Sequence, residues 1–293
     1  MFELTKAGER TYYIDHSTII GIYKLTDKEV CLIDTGRSRR DGEQLEALLK
    51  EQGWELSFIL NTHTHIDHLG GNEYLMKTYG CPAYATNIDN AFANYKHLEA
   101  SYMYGGFPNQ MLRNIFRHPG PVGFRDIEDF QLPQGLEYIR LPGHSFGMIG
   151  IKTSDNVWFL GDSVLNQKSL EKYQFGYLVD VAGYLETLEL LKTLEGGLFL
   201  PSHGDITADI RPLAEGNQKN IEKNICGILE DCREGIHFDA LLKRIFDRYG
   251  IRGDMPQYAL SGSTLRCYLS YMEDQGLVAA YFEDNMLKWK NVG

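Results

Sequence analysis

No stretch of the 293-residue chain approaches the roughly 18 consecutive apolar residues that a membrane span needs. The opening residues, Met1 to Arg10, lack the apolar core of a secretory leader. A cytoplasmic protein without a membrane partner is therefore expected. Cysteine is scarce and odd in number: Cys31, Cys81, Cys226, Cys232 and Cys267 show no paired close spacing, which speaks against a disulfide framework. Positive charge is also short, with 29 Lys and Arg against 40 Asp and Glu. The resulting formal charge of -11 argues against a broad phosphate-binding surface, because nucleic-acid binders display a basic stripe. Repeats and low-complexity segments are missing. What remains, 43% hydrophobic and 24% charged residues, describes an ordinary globular chain, either one large domain or one domain with a small appendage.

The most informative stretch is Asn61 to Gly71, where His63, His65, Asp67 and His68 follow directly on the strand-like run Ser57 to Leu60. On an extended chain His63, His65 and Asp67 point to one side and His68 to another, which suits two adjacent metal ions better than one. The same grammar, an apolar strand and then a small-residue turn with a metal-capable side chain, returns further on. Leu136 to Leu141 leads into Pro142-Gly143-His144-Ser145, Val157 to Leu160 into Gly161-Asp162-Ser163, and Leu198 to Leu200 into Pro201-Ser202-His203-Gly204. Five of the nine histidines thus sit in strand-end turns beside Asp67 and Asp162, and neutral imidazoles with carboxylates suit Zn²⁺ and similar divalent ions. His16, His97, His118 and His237 have no such context. Asp34, in the early turn Asp34-Thr35-Gly36 after a strand-and-hairpin region, reads as a supporting residue rather than a ligand.

Helices are expected over Asp41 to Gln52 with Gly53 as the stop, over Gly71 to Tyr79, and over Gly183 to Leu194. Between the short strand Pro82 to Ala85 and the one starting at Leu136 lies a long insertion, about residues 86–133, rich in aromatics and methionine. Connections of that length usually carry function or structure of their own. Helices forming a lid or pocket wall are expected, with an extra packing layer as the equal alternative, and Tyr102, Tyr104, Phe107 and Tyr173 are the candidate pocket residues. A composition change near Arg211 to Gln218 suggests a boundary, giving a catalytic domain over 1–215 and a second unit over 216–293. Helices over Ile221 to Cys232, Phe238 to Tyr249 and Ser263 to Gln275, followed by a hairpin, suggest a winged-helix-like unit. Its ten Lys and Arg against eleven Asp and Glu, with Arg266 the one cation of the third helix, weigh against nucleic-acid binding.

Taken together, Thr62-His63-Thr64-His65-Ile66-Asp67-His68, Pro142-Gly143-His144-Ser145, Gly161-Asp162 and Ser202-His203-Gly204, with Asp34-Thr35-Gly36, resemble the metallo-β-lactamase superfamily of hydrolases. The resemblance implies an α/β (α+β) fold, a four-layer αββα sandwich with a dinuclear site at the edge where two sheets meet. It implies His63, His65 and His144 on a first metal, Asp67, His68 and His203 on a second, Asp162 bridging, and Asp34 supporting the ligand loops. Two divalent ions follow, Zn by the imidazole-rich set, with Fe or Mn as alternatives. The oxygen-reducing diiron branch carries a carboxylate where this chain has His65, so hydrolysis is the expected chemistry. The expected function is attack by a metal-bound hydroxide on a small ester, thioester or lactone, with Asp67 passing a proton to the leaving group. A metal-dependent endoribonuclease or phosphodiesterase is the alternative. The C-terminal unit is then an interaction surface, packed on the catalytic domain or on a second subunit of a homodimer.

Overall fold

In the computed structural model, which describes residues 2–117 and 123–293, the β-branched runs of the first half build a seven-stranded sheet. Its members follow sequence order: β1 (Thr5–Lys6), β2 (Thr11–Asp15), β3 (Ile19–Lys24), β4 (Glu29–Ile33), β5 (Glu55–Leu60), β6 (Ala83–Ala85) and β7 (Arg125–Asp126). The strands from β1 to β4 pair antiparallel, and those from β4 to β7 pair parallel. Each parallel step needs a crossover. Between β4 and β5 it is α1 (Arg39–Gln52), capped by Ser38 and closed by Gly53 at φ 68°. Between β5 and β6 come α2 (Ile66–Leu69) and α3 (Asn72–Tyr79). The insertion supplies α4 (Asn87–Asn94), α5 (Leu98–Tyr104) and α6 (Gln110–Ile115) before β7. His118 lies outside the described residues.

A second sheet has the order β11-β10-β9-β8, with β8 (Leu136–Arg140), β9 (Ile149–Thr153) and β10 (Val157–Leu165) as an antiparallel meander. Strand β11 (Leu198–His203) lies parallel to β10, reached through α7 (Gln167–Lys172) and α8 (Val181–Thr193). The chain ends with α9 (Arg211–Asp231), β12 (Ile236–His237), α10 (Phe238–Tyr249), α11 (Met255–Asp274), β13 (Val278–Glu283) and β14 (Met286–Asn291), whose strands form a sheet of order β12-β14-β13.

The period-2 alternation of the strands explains the layering. In β4, Val30 and Leu32 face Leu45, Leu49 and Leu75 of α1 and α3, while Cys31 and Ile33 face the second sheet. In β10, Val157 and Phe159 face the first sheet, and Trp158 and Leu160 pack with Leu188 and Leu191 of α8. Helix, sheet, sheet and helix follow one another, the αββα sandwich expected.

Several boundaries differ from those the sequence suggests. Strand β10 does not stop at Leu160 but runs on through Asp162, irregular in register at Gly161. Helix α9 begins at Arg211 with Pro212 in its first turn, so position 215/216 lies inside a helix. Its buried face is Ala214, Asn217, Ile221, Asn224 and Ile228. Two asparagines on that face hide the apolar period. Helix α11 begins at Met255 rather than Ser263; the buried residues of its first half, Ala259, Ser261, Gly262, Ser263 and Thr264, are small or polar and give no apolar period, whereas Leu265, Tyr268, Leu269 and Met272 mark the second half.

Candidate metal centre

The site begins with Asp34, at the end of β4 with φ 58°, a left-handed conformation that short polar side chains tolerate. Its carboxylate is fully engaged. Oδ1 accepts from the Thr62 amide at 2.8 Å and from Asn61 Nδ2 at 3.3 Å. Oδ2 lies 2.7 Å from Thr62 Oγ1 and 2.8 Å from His68 Nδ1. Thr62 Oγ1 in turn lies 3.2 Å from His63 Nδ1. With its own proton committed to Asp34, the hydroxyl accepts the His63 Nδ1–H. Asp34 therefore holds His68 directly and His63 through Thr62, fixing both rings with Nε2 turned away from it.

The alternation expected from an extended chain holds for His63 and His65 only. At Ile66 the chain turns into α2, with His65 at its N-terminus, so Asp67 and His68 share one helical turn and face the same neighbours. His144 is presented by a loop anchored through Gly143, whose carbonyl accepts the Val179 and Asp180 amides at 2.9 and 3.2 Å. Gly143 has φ 126°, and a Cβ there would fall 2.4 Å from Tyr184 Cα, so no larger residue fits against α8. Asp162 lies inside β10 rather than on a turn after it. The positive φ of Gly161, 52°, and the register shift there aim the carboxylate at the cluster while the strand continues. His203 is the last residue of β11.

These elements bring seven side chains into two groups that share Asp162: His63, His65, His144 and Asp162, and Asp67, His68, Asp162 and His203. In the first, His65 Nδ1 lies 3.0 Å from His63 Nε2 and 2.9 Å from His144 Nε2, and His144 Nε2 lies 3.3 Å from Asp162 Oδ2. In the second, His68 Nε2 is 3.0 Å from Asp162 Oδ1, and His203 Nε2 is 3.3 Å from Asp162 Oδ2 and 3.4 Å from Asp67 Oδ2. Ligands of a tetrahedral zinc at 2.0–2.1 Å sit about 3.3 Å from one another, so the separations match convergence on an ion. Among the described residues the buried His68 Nε2 and Asp162 Oδ1 have no hydrogen-bond partner, although they approach each other to 3.0 Å. Atoms left so are costly unless a cation lies between them. The donor set fits divalent metal.

The charges of the protein atoms alone point the same way. Burial holds His63 well below its usual value and lowers His65 to about 4, leaving both rings neutral, as ligands must be. Burial opposes charge on His68 too, but Asp162 and Asp34 outweigh it and hold that ring well above the ordinary histidine range. Hydrogen bonding to Asp162 and Asp67 pushes His203 up to about 10. Burial acts to raise Asp67, yet the His203 contact and the charge of His68 keep it at about 2. Two carboxylates thus draw positive charge onto the His68 and His203 rings, the attraction that a divalent cation would satisfy at the same atoms.

The centre opens into a cavity of about 860 Å³, walled by Met103, Ile115 and Phe116 of the insertion, by the segment 165–178, and by residues of α9 to α11. Of the four candidate pocket residues only Tyr173 lines it. Tyr102 packs edge-on to Phe92 and Phe146, Tyr104 is exposed, and Phe107 is 74% exposed with Arg113 over its ring. His97 meets Phe107 edge-on, away from the cavity lining. Two residues not anticipated stand at the metal-facing end: Glu99, 3.5 Å from His65 Nε2, and Tyr177, whose ring lies 6.0 and 6.1 Å from those of His65 and His144. Neither carries a motif, being an ordinary helix glutamate and one aromatic among many.

A two-sheet sandwich with a buried His/Asp cluster at its edge is the architecture of a metal-dependent hydrolase. Residues 15–203 match the model of the metallo-beta-lactamase superfamily, and the chain belongs to that family. It is 28% identical over 143 residues to a probable metallo-hydrolase of Methanocaldococcus jannaschii, covering 48% of this chain and 66% of that one. It is 27% identical over 187 residues to the atrochrysone carboxyl ACP thioesterase of Emericella nidulans, covering 63% of this chain and 51% of that one. The matches thus leave a third to a half of those relatives outside. A beta-lactamase domain protein from Burkholderia ambifaria shares the fold with TM-score 0.74 at 16% identity, covering 99% of this chain and 94% of that one. No helix among the described residues is long and apolar enough to cross a membrane.

Proposed function

We propose that the chain hydrolyses a small thioester, ester or lactone with two divalent ions, zinc in the first place and iron or manganese as alternatives. His63, His65 and His144 hold one ion, Asp67, His68 and His203 hold the other, and Asp162 lies between them. The observation that carries this reading is that two four-ligand groups share one carboxylate at the inner end of a cavity with largely apolar walls. When bound, such ions supply an activated water and polarise the scissile carbonyl. The named thioesterase among the relatives supports the acyl side of the proposal.

The protein's own part is positional. Asp34 locks the His68 and His63 rings in one tautomer, and His65 presents Nδ1 while its Nε2 faces Glu99. The walls from Met103, Phe116 and Leu178 exclude water around the acyl group. In hydrolysis of a thioester the acyl carbon–sulfur bond breaks and a carbon–oxygen bond to water forms. One proton of the water passes to the departing sulfur, and Asp67, which lines the cavity beside His203, is the group placed to carry it. The five free cysteines fit a cytoplasmic setting.

The test is turnover by metal-loaded protein across acyl thioesters, lactones and aryl esters, lost on chelation and restored by metal. His68→Ala and Asp67→Ala should abolish turnover while the protein keeps part of its metal. Silence across the whole panel sinks the acyl reading, and unchanged activity in both variants sinks the ligand assignment.

A further inference from the structure

The cavity is larger than a metal centre and a short acyl group require, and part of its wall comes from the C-terminal unit, including the loop from Gly250 to Asp254. Three cations from three separate segments line it: Arg117 after α6, Lys172 at the end of α7, and Arg252 between α10 and α11. All three are exposed, and none is held by a carboxylate among the described residues. Among the described residues Lys172 meets the Tyr173 ring, 4.5 Å away. The acids that share the lining are occupied. Asp254 caps α11 by accepting the Gln257 amide at 2.8 Å, Glu99 faces His65, and Asp67 and Asp162 belong to the metal cluster. In a chain of formal charge -11 long-range fields repel an anion, so three cations that no carboxylate among the described residues pairs are the feature of this cavity that can receive one.

We propose that the substrate carries an anionic group, carboxylate or phosphate, remote from the bond that is cleaved, and that Arg252, with Lys172 and Arg117, receives it. This rests on the acyl-hydrolase reading and names the class of compound within it: a thioester or ester of an anionic carrier. It also gives the C-terminal unit a role as the wall that reads the carrier. Contacts made equally before and during reaction change KM rather than kcat, and exposed ion pairs are modest singly but screened less in a cavity.

One acyl group is offered on three thiols: N-acetylcysteamine, which is neutral, glutathione, which bears carboxylates, and coenzyme A, which bears phosphates. At least one anionic carrier should have the higher kcat/KM, and which one separates carboxylate from phosphate. Arg252→Ala and Lys172→Ala should each lower kcat/KM for that carrier about three- to tenfold through KM, leave the neutral thioester unchanged, and be rescued by Arg252→Lys. KM for the anionic carrier should also rise between about 50 and 500 mM salt. Equal losses on neutral and anionic carriers, or no loss on either, overturn the proposal. If no thioester is turned over, the reaction is wrong, and calorimetry of the free thiols still decides this point. Binding of an anionic thiol that weakens in Arg252→Ala upholds the cation site, and equal binding of all three thiols removes it.

Discussion

Asp34 illustrates how much one residue decides. It stands outside both ligand groups, yet three amide or hydroxyl donors and the His68 ring all end on its carboxylate. Asn is the informative replacement because it keeps the left-handed backbone at φ 58°, where Ala would be strained. Asp34→Asn should preserve the fold and weaken metal about 10- to 100-fold, since an amide cannot accept both the Thr62 and His68 protons; competition against a chelator measures it. Protons and metal compete at the same atoms. With its folded value at about 10 against 6.5 unfolded, His203 stabilises the metal-free chain fully below 6.5 and loses that contribution as pH rises through 10. Metal must displace that proton, so metal affinity should climb with pH up to about 10 and level off above it, and uptake below 10 should release protons, which titration in two buffers of different ionisation enthalpy detects. A flat affinity profile would contradict the assignment of His203. All seven residues of the two clusters are legible in sequence because metal chemistry restricts the residue types and needs glycine beside them. Glu99 and Tyr177 are not, because their residue types are common and only the fold brings them to His65.

Among the elements, α4 of the insertion does more than cover the site. Thr64 Oγ1 donates to the Asp89 carbonyl at 3.0 Å, Thr86 Oγ1 donates to the Gly147 carbonyl at 3.0 Å, and Ser145 Oγ donates to Asp89 Oδ2 at 3.3 Å. One short helix thereby ties the loop of His63 and His65 to the loop of His144. A Cβ on Gly147 would fall 2.0 Å from Thr86 Oγ1, so Gly147→Ala should push α4 off the loop and lower both the unfolding midpoint and the metal content of the purified protein. Burial raises the Asp89 carboxyl from 3.8 to about 7, so the fold favours its protonated form and loses that favour as pH rises through 7. Asp89→Asn should accordingly gain stability relative to the parent as pH rises from about 4 to 7 and hold that gain above 7, read as a gap in thermal midpoint that widens and then levels; a constant gap from 4 to 7 would show that burial does not raise the Asp89 carboxyl. The strand-end turns were visible in sequence because glycine and proline punctuate them. The turn of α2 at Ile66 and the passage of β10 through Asp162 were not, since both depend on backbone geometry that residue spacing does not encode.

At the scale of the whole molecule the question is whether the C-terminal residues form a separable module. Composition suggested a boundary near residue 215, and α9 runs through it, its period masked by Asn217 and Asn224. Those asparagines are structural. Asn217 exchanges hydrogen bonds with the Leu165 backbone, 3.1 Å to its amide and 2.8 Å to its carbonyl, and Asn224 links the Gln174 carbonyl at 3.0 Å to Tyr268 at 3.2 Å. The apolar contacts are equally shared: Leu141 and Leu160 of the second sheet, Leu188 of α8, Ile221 of α9, Leu241 of α10 and Leu269 of α11 belong to one buried cluster. A chain ending at Ile210 would expose the outer face of α8 and leave buried polar groups of the 165–178 segment unpaired. We expect it to be insoluble or aggregated on size exclusion. The milder Leu269→Ala should fold with a loss of about 2–5 kcal/mol, read by denaturant unfolding as one cooperative transition of the entire chain. Two transitions, with only the smaller one shifted by Leu269→Ala, would instead mark the C-terminal residues as an independent domain, and the cavity they wall would then be open to relative motion of its two sides.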